Sequence, residues 1–300
     1  MRIGEAVESL SADFRAAGID EARADARLLV AFALNADALY VRMHAAEELD
    51  PDASAKLDSL RRRRLAREPV SKITGSRGFW RLDLKVTRDV LDPRPDSETL
   101  IDEALRRLPD KKAPLRILDL GTGSGCLALA LLCELPLAKA IGTDRSEAAL
   151  EIARENARLN GLDGRFETRL RDWTANGWTD GLDPPFDVVI SNPPYIAETE
   201  RDTLSPEVLE FDPEGALFGG ADGLDAYEAL LPAVGALLKK DGFAVFEFGR
   251  GQHDAVREKG EAAGLSFDGF GTDMSGIVRC IVFRPEKQEN ACIAGGESVR

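Results

Sequence analysis

Residues 115–132 read LRILDLGTGSGCLALALL: a short apolar run, glycines at alternate positions, then a longer apolar run. This is the pattern of a buried strand, a glycine loop and a buried helix. Gly121, Gly123 and Gly125 allow a tight turn and a close approach of backbone to a ligand. A dinucleotide fingerprint, G-x-G-x-x-G, would need glycine at 126, where the chain has Cys126. No Gly-Lys-Ser/Thr follows either, so the loop is not a P-loop. A nucleoside ligand without a pyrophosphate fits better, and Gly121, Thr122, Gly123, Ser124 and Gly125 are its candidate cradle. Asp144 ends the next apolar run, AKAIGTD. An acid there can accept hydrogen bonds from both hydroxyls of a ribose; the stretch TDRSEAAL would also cap a helix.

Outward from this unit, short apolar strands alternate with helices. After LRILDL come a helix over 124–134, AKAIGTD, a helix over 146–159, RFETRL, FDVVIS, a helix over 222–239, GFAVFEF, a helix over 252–263 and a final GIVRCIVF. Such alternation implies a largely parallel sheet covered on both faces, an α/β fold. Upstream, residues 1–75 read as a small helical bundle. VESLSADFRAAGI sets Val7, Leu10, Phe14 and Ala17 at helical spacing, and DEARADARLLVAFAL and DASAKLDSLRRRRLARE follow as further helices. Between the two parts, 76–96 is expected to be a linker with a β-hairpin in GFWRLDLKVT (78–87) and a cap at Asp96 or Ser97. The second domain spans 97–284, and the polar tail 285–300 is expected to be disordered.

Composition narrows the function. The chain has 300 residues, 44% of them hydrophobic, which is enough for two domains. A net charge of −14 argues against broad nucleic-acid or anionic-membrane binding. No apolar run reaches the roughly 20 residues of a membrane span, and MRIGEAVESL has no signal-peptide core. A cytoplasmic protein is expected. Cys126 and Cys133, on an apolar helix, are expected to be core residues. With His44 and His253 the only histidines, neither in a motif, no metal site or Ser-His-Asp triad is expected. The Arg61–Arg64 run is either a docking patch or, as favoured here, a solvated helix face pairing with nearby acids.

The fourth strand leaves the sheet through Asn192-Pro193-Pro194-Tyr195. Neither proline has an N–H, so ladder pairing stops, and the stiff corner presents an amide, a ring and carbonyls without matching donors. Ligands of open α/β sheets collect beyond the carboxyl ends of the strands. Gly121–Gly125, Asp144, Asn192 and Trp173, the last from RDW after the third strand, should therefore share one rim. Trp173 is placed to cover an adenine ring, with Asp172 beside its exocyclic amine, or else is a packing residue.

This arrangement resembles the S-adenosylmethionine-dependent methyltransferase fold, Rossmann-like and of class I. Asn-Pro-Pro-Tyr resembles the branch that methylates planar nitrogens, either base amines or a side-chain amide. A planar nitrogen is a poor nucleophile because its lone pair is delocalised, as in a peptide bond. Acceptors at the Asn192 side-chain oxygen and the Pro193 carbonyl would hold its two N–H bonds, with Tyr195 offering a flat face. The tetrapeptide alone does not separate adenine from glutamine. Further stretches, EPVSKITGSRGFWRLDLKV (68–86), PRPDSETLIDEAL (93–105), DLGTGSG (119–125), SNPPYI (191–196) and EFDPEGALFGGADGLDAYEALL (210–231), resemble the protein-(glutamine-N5) methyltransferase family that modifies peptide chain release factors. The resemblance implies S-adenosylmethionine as cofactor, catalytic Asn192, Pro193 and Tyr195, a substrate corner Asn192–Tyr195, and a docking role for the helical domain. It implies the glutamine of the Gly-Gly-Gln loop as substrate, with a ribosomal-protein glutamine or an N6-adenine in nucleic acid as alternatives. A cofactor-binding adaptor is the non-enzymatic alternative.

Overall fold

The computed structural model describes residues 1–286. Five helices come first: α1 (Ile3–Ala16), α2 (Ala22–Ala33), α3 (Ala38–Met43), α4 (Pro51–Leu65) and α5 (Val70–Thr74). Their apolar stripes meet in one cluster, where Leu10 and Phe14 of α1 join Leu29 and Val30 of α2 and Leu57 and Leu60 of α4. The expected inward Ala17 is instead the exposed C-cap of α1; the chain turns at Gly18 and buries Ile19.

A two-stranded hairpin follows, β1 (Ser76–Phe79) paired antiparallel with β2 (Leu82–Lys85). Its turn carries Trp80 at φ +55°, an unusual conformation for a bulky residue. The Trp80 amide donates to Glu98 Oε1 (2.8 Å) and the indole N–H to Glu134 Oε1 (2.9 Å). These bonds anchor the turn to the neighbouring helices.

The remaining elements are α6 (Glu98–Arg107), β3 (Arg116–Leu120), α7 (Cys126–Glu134), β4 (Lys139–Asp144), α8 (Glu147–Leu159), β5 (Phe166–Leu170), β6 (Phe186–Ser191), α9 (Pro206–Phe211), α10 (Asp225–Leu237), β7 (Leu238–Glu247), α11 (His253–Ala262), β8 (Leu265–Thr272) and β9 (Val278–Pro285). They build a seven-stranded sheet in the order β5-β4-β3-β6-β7-β9-β8. The first five strands in that order run parallel; β9 is antiparallel to both neighbours. Successive strand residues serve opposite faces, as a pleat requires. Ile117, Val188, Ile190 and Val245 pack with α6 and α7, whereas Leu118, Val189, Ala244 and Phe246 pack with α10. This is the Rossmann-like α/β architecture expected from the sequence.

Strand β8 was not anticipated. It is a half-exposed edge strand whose Asp268, Gly269 and Gly271 interrupt any alternation, and its register shifts twice against β9. Of the two expected core cysteines, Cys126, at the start of α7, packs half-buried against the core, whereas Cys133, in the last turn, is exposed. Of the tail expected from 285, Pro285 closes β9, and residues 287–300 lie outside the described residues.

Buried polar contacts fasten the segments together. Asn156, fully buried in α8, accepts from the Lys85 amide (2.6 Å) and donates to the carbonyls of Lys85 (3.0 Å) and Ser124 (2.9 Å), joining hairpin to glycine loop. Asp212 is the second junction. Its carboxylate meets the buried Lys72 ammonium (3.2 Å), the Arg94 guanidinium (2.8 Å) and the Asp92 amide (3.2 Å). Lys72 also donates to the carbonyls of Thr87 (2.6 Å) and Val90 (2.5 Å), and Ser71 to Asp92 (2.8 Å). The segment 87–94 is thus gripped from both sides. In the arginine run, Arg61 pairs with Asp13 and Arg63 with Glu68, as the solvated-face reading expects. Arg64 departs from it: 5% exposed, it bonds Asp25 (2.7 Å) and reaches Glu207 of α9 (3.1 Å).

Candidate active site

The parallel register sets the site. Leu120 pairs with Thr143 on one side and with Ser191 on the other. One step further on, Gly121, Asp144 and Asn192 therefore stand side by side at the carboxyl edge. The Ser191 hydroxyl donates to the Leu120 carbonyl (2.7 Å), closing the edge just before the proline corner.

The glycine loop crosses this edge with all three glycines at positive φ. At Gly121 (φ +72°) a Cβ would stand 3.1 Å from the Trp173 ring, so glycine is what lets the indole lie on the backbone. The Thr122 amide donates to the Thr143 carbonyl (2.8 Å), and its hydroxyl to Asp119 Oδ2 (2.7 Å), which also accepts from the Ala128 amide (3.3 Å). Burial pushes the Asp119 carboxyl up to about 7; the Thr122 and Ala128 donors offset part of that, and the nearby Asp144 charge adds to it. Asp144 accepts from the Gly123 amide (3.0 Å) and the Ser146 amide (2.9 Å). Its carboxyl is raised, chiefly by burial, against those two donors. The cap of α8 is Ser146, whose side chain accepts from the Ala149 amide. Each Asp144 oxygen retains a lone pair for a ligand hydroxyl.

Above the edge lies a cavity of about 1040 Å³, counting the space open to solvent. Gly121 to Ser124, Asp144, Trp173, Asn192 and Pro194 line it on the sheet side. The opposite wall comes from the fastened linker, through Val90, Leu91, Pro93, Arg94 and Ser97, and from Pro213, Gly215 and Ala216. Four sequence candidates stand elsewhere or only border the cavity. Gly125 is the N-cap of α7, packed against Leu129. Asp172 is exposed and binds the Thr174 amide and hydroxyl of its own turn, not the lining. Pro193 is buried, and neither it nor Tyr195 is in the lining. Tyr195 packs behind the cavity against the apolar cluster and donates its phenol to Glu247 (3.2 Å). The expected cap at Ser97 also differs: Ser97 holds the N-cap position of α6 without a cap bond, and its oxygen accepts from Asn192 Nδ2 (3.1 Å).

The corner is clamped from outside. The Gln252 amide donates to the Tyr195 carbonyl (2.9 Å), and Ile196 exchanges backbone bonds with Leu217 and Gly219. Gly223 (φ +79°) allows the FGGADG segment to close on it, since a Cβ there would sit 2.2 Å from the Tyr195 oxygen.

A glycine loop, an acid on the neighbouring strand and an Asn-Pro-Pro-Tyr corner on one rim of a Rossmann-like sheet define an S-adenosylmethionine-dependent methyltransferase. Comparison with known proteins agrees. A model of the PrmC N-terminal domain matches residues 5–75, and one of the methyltransferase small domain matches residues 97–210. The release factor glutamine methyltransferase of Cereibacter sphaeroides is 42% identical over 284 residues, covering 95% of this chain and 99% of the relative. That of Rhodospirillum rubrum is 43% identical over 270 residues, 90% of this chain and 81% of the relative. The chain belongs to the release factor glutamine methyltransferase family. A solved structure titled as a release factor-specific protein-(glutamine-N5) methyltransferase, from Alicyclobacillus acidocaldarius, aligns over 68% of this chain and 99% of that one, with 26% identity and a TM-score of 0.40.

Proposed function

We propose that this protein methylates the side-chain amide nitrogen of the glutamine in the Gly-Gly-Gln motif of peptide chain release factors, in the cytoplasm. The observation that carries the reading is the Asn192 carboxamide, held by Ser97 in the wall of the cavity that the glycine loop floors. When bound, S-adenosylmethionine supplies a methyl group on a positively charged sulfur, a good leaving group.

The residues fit such a cofactor. The Gly121–Ser124 backbone would admit it closely, Asp144 would accept from the ribose hydroxyls, and Trp173 would cover the base. With Nδ2 on Ser97, Asn192 keeps Oδ1 for the cavity. Oδ1 and the Pro193 carbonyl accept from the two N–H bonds of the substrate amide, orient its lone pair and raise its electron density. Orientation of this kind supplies up to roughly 7–11 kcal/mol of a barrier. Pro194 stiffens the corner, and Tyr195 braces it from behind rather than offering its face. No base need act first, since the proton can leave after methyl transfer. The helical part, residues 1–75, supplies a second surface for docking the protein substrate, because a three-residue motif offers little area.

Mass spectrometry of a purified release factor, incubated with enzyme and S-adenosylmethionine, tests this. One methyl group on the Gly-Gly-Gln glutamine is expected. Its absence under conditions where the cofactor binds would sink the assignment, and methyl transfer to adenine in nucleic acid would replace it.

A further inference from the structure

Glu247 ends β7, and the ladder pairs Ser191 with Phe246, so this acid stands next to Asn192 in the row that holds Gly121 and Asp144. It is 2% exposed. Its Oε1 accepts from the Tyr195 phenol, whereas Oε2 is buried with no hydrogen-bond partner among the described residues. The Ser97 hydroxyl lies near enough to Glu247 to draw its acidity toward the ionised form. Ser97 closes a 3₁₀ turn (Pro95–Ser97) that runs into α6 with helical φ and ψ, and its side chain makes no cap bond. Its hydroxyl oxygen accepts from Asn192 Nδ2, and the side chain lies beside Glu247, whose Oε2 is without a partner among the described residues.

A carboxamide and a hydroxyl can pair either way round. The hydroxyl accepts from the NH₂, or it donates to the C=O. A carboxylate only accepts. With Glu247 ionised, the Ser97 proton turns to Glu247 and only lone pairs are left for Asn192. Nδ2 must then face Ser97, and Oδ1 stays available as an acceptor. With Glu247 protonated, its proton can go to Ser97, and Ser97 can donate to Asn192 Oδ1. The NH₂ of Asn192 then meets the NH₂ of the substrate, donor against donor.

We propose that Ser97 and Glu247 are positioning residues that set which end of the Asn192 carboxamide faces the substrate amide. The proposal rests on the acceptor role given to Asn192 above. Surrounding charges allow Glu247 to switch in an accessible range. Burial pushes its carboxyl up to about 7; the Ser97 and Tyr195 hydroxyls and Arg279 draw it down, and Asp96 pushes it up. Cys280 faces it across the β7–β9 ladder, and the Tyr227 phenol of α10 donates to its carbonyl (2.7 Å).

The test combines nuclear magnetic resonance with kinetics. In protein labelled with ¹⁵N-asparagine, the Asn192 side-chain signal is identified by its loss in Asn192→Asp. It is expected to move with pH, with a midpoint near 7, and to stop moving in Glu247→Gln. The wild-type kcat should fall on the acid side of the same midpoint. Ser97→Ala should lower kcat by about ten- to a hundredfold at unchanged KM for S-adenosylmethionine, and Ser97→Thr, which keeps the hydroxyl, should restore most of it. An Asn192 signal indifferent to pH, or one that moves equally in Glu247→Gln, overturns the relay even if the enzyme is active. A full kcat in Ser97→Ala does so too. A responsive Asn192 in a protein that leaves release factors unmethylated supports the relay and overturns the substrate assignment.

Discussion

Asn192 concentrates the functional reading in one carboxamide. On the proposed mechanism, Asn192→Ala removes an acceptor used in the transition state while leaving the glycine loop and Asp144 in place. By analogy with loss of an oxyanion-hole donor, kcat should fall by about 10²–10³, or about 2.7–4 kcal/mol. The affinity for S-adenosylmethionine, measured by calorimetry, should change little; a near-wild-type rate would remove Asn192 from the mechanism. A second prediction concerns Asp119. Its folded pKa, about 7, lies above the roughly 4 of an unfolded aspartate. The native state therefore binds more protons in between, so this contribution to stability is complete at low pH and is lost as pH rises through 7. Urea unfolding at pH 5 and pH 8 should show a smaller loss of stability in Asp119→Asn than in wild type, and equal losses would count against it. Asn192, Asp144 and the glycine loop were legible because each sits in a recognisable local pattern. Asp119, Ser97 and Glu247 were not. In sequence they are a strand-end acid, a helix cap and an acid between two phenylalanines, and only the strand register brings Glu247 beside Asn192.

At the scale of elements, the rim works because parallel strands end in step. The glycine loop then has to leave β3 without striking Trp173. Gly121→Ala adds a Cβ 3.1 Å from the ring at φ +72°, a conformation that costs an L-residue roughly 1–2 kcal/mol. Urea denaturation should show a loss of about that size, and binding of S-adenosylmethionine should weaken at least about tenfold as the indole shifts. Unaltered binding would mean that Trp173 does not wall the ligand. The inner strands β3 and β6 and the second half of β7 were readable because burial on both faces makes them nearly continuous apolar runs. β8 was not, since an edge strand with one wet face can carry Ser266, Asp268 and two glycines and still pair.

Across the whole molecule, Asp212 organises the wall opposite the sheet. Asp212→Ala leaves the Lys72 ammonium, 1% exposed at its side chain, without its carboxylate. Breaking a buried pair from one side costs about 3–5 kcal/mol. A urea midpoint lowered to that degree is expected, together with faster amide hydrogen exchange in residues 87–94. Unchanged exchange there would show that the linker holds its place without Asp212. The sequence foretold a helical part and a sheet part but not these bonds, because Lys72 and Asp212 are distant in the chain and neither stands in a charge pattern.

The grip on the linker bears on recombining this chain with a relative. Ser71 and Lys72 precede the natural-looking seam at residue 75, yet their side chains bond residues 87–92 and 212. A hybrid spliced at 75 would graft a foreign α5 against Asp212 and could collapse one wall of the cavity. A splice before Pro69 would carry that helix along with its bonding partners. Only hybrids of the second kind would report whether the helical part sets the choice of protein substrate, because in the first kind lost turnover and lost recognition would look the same.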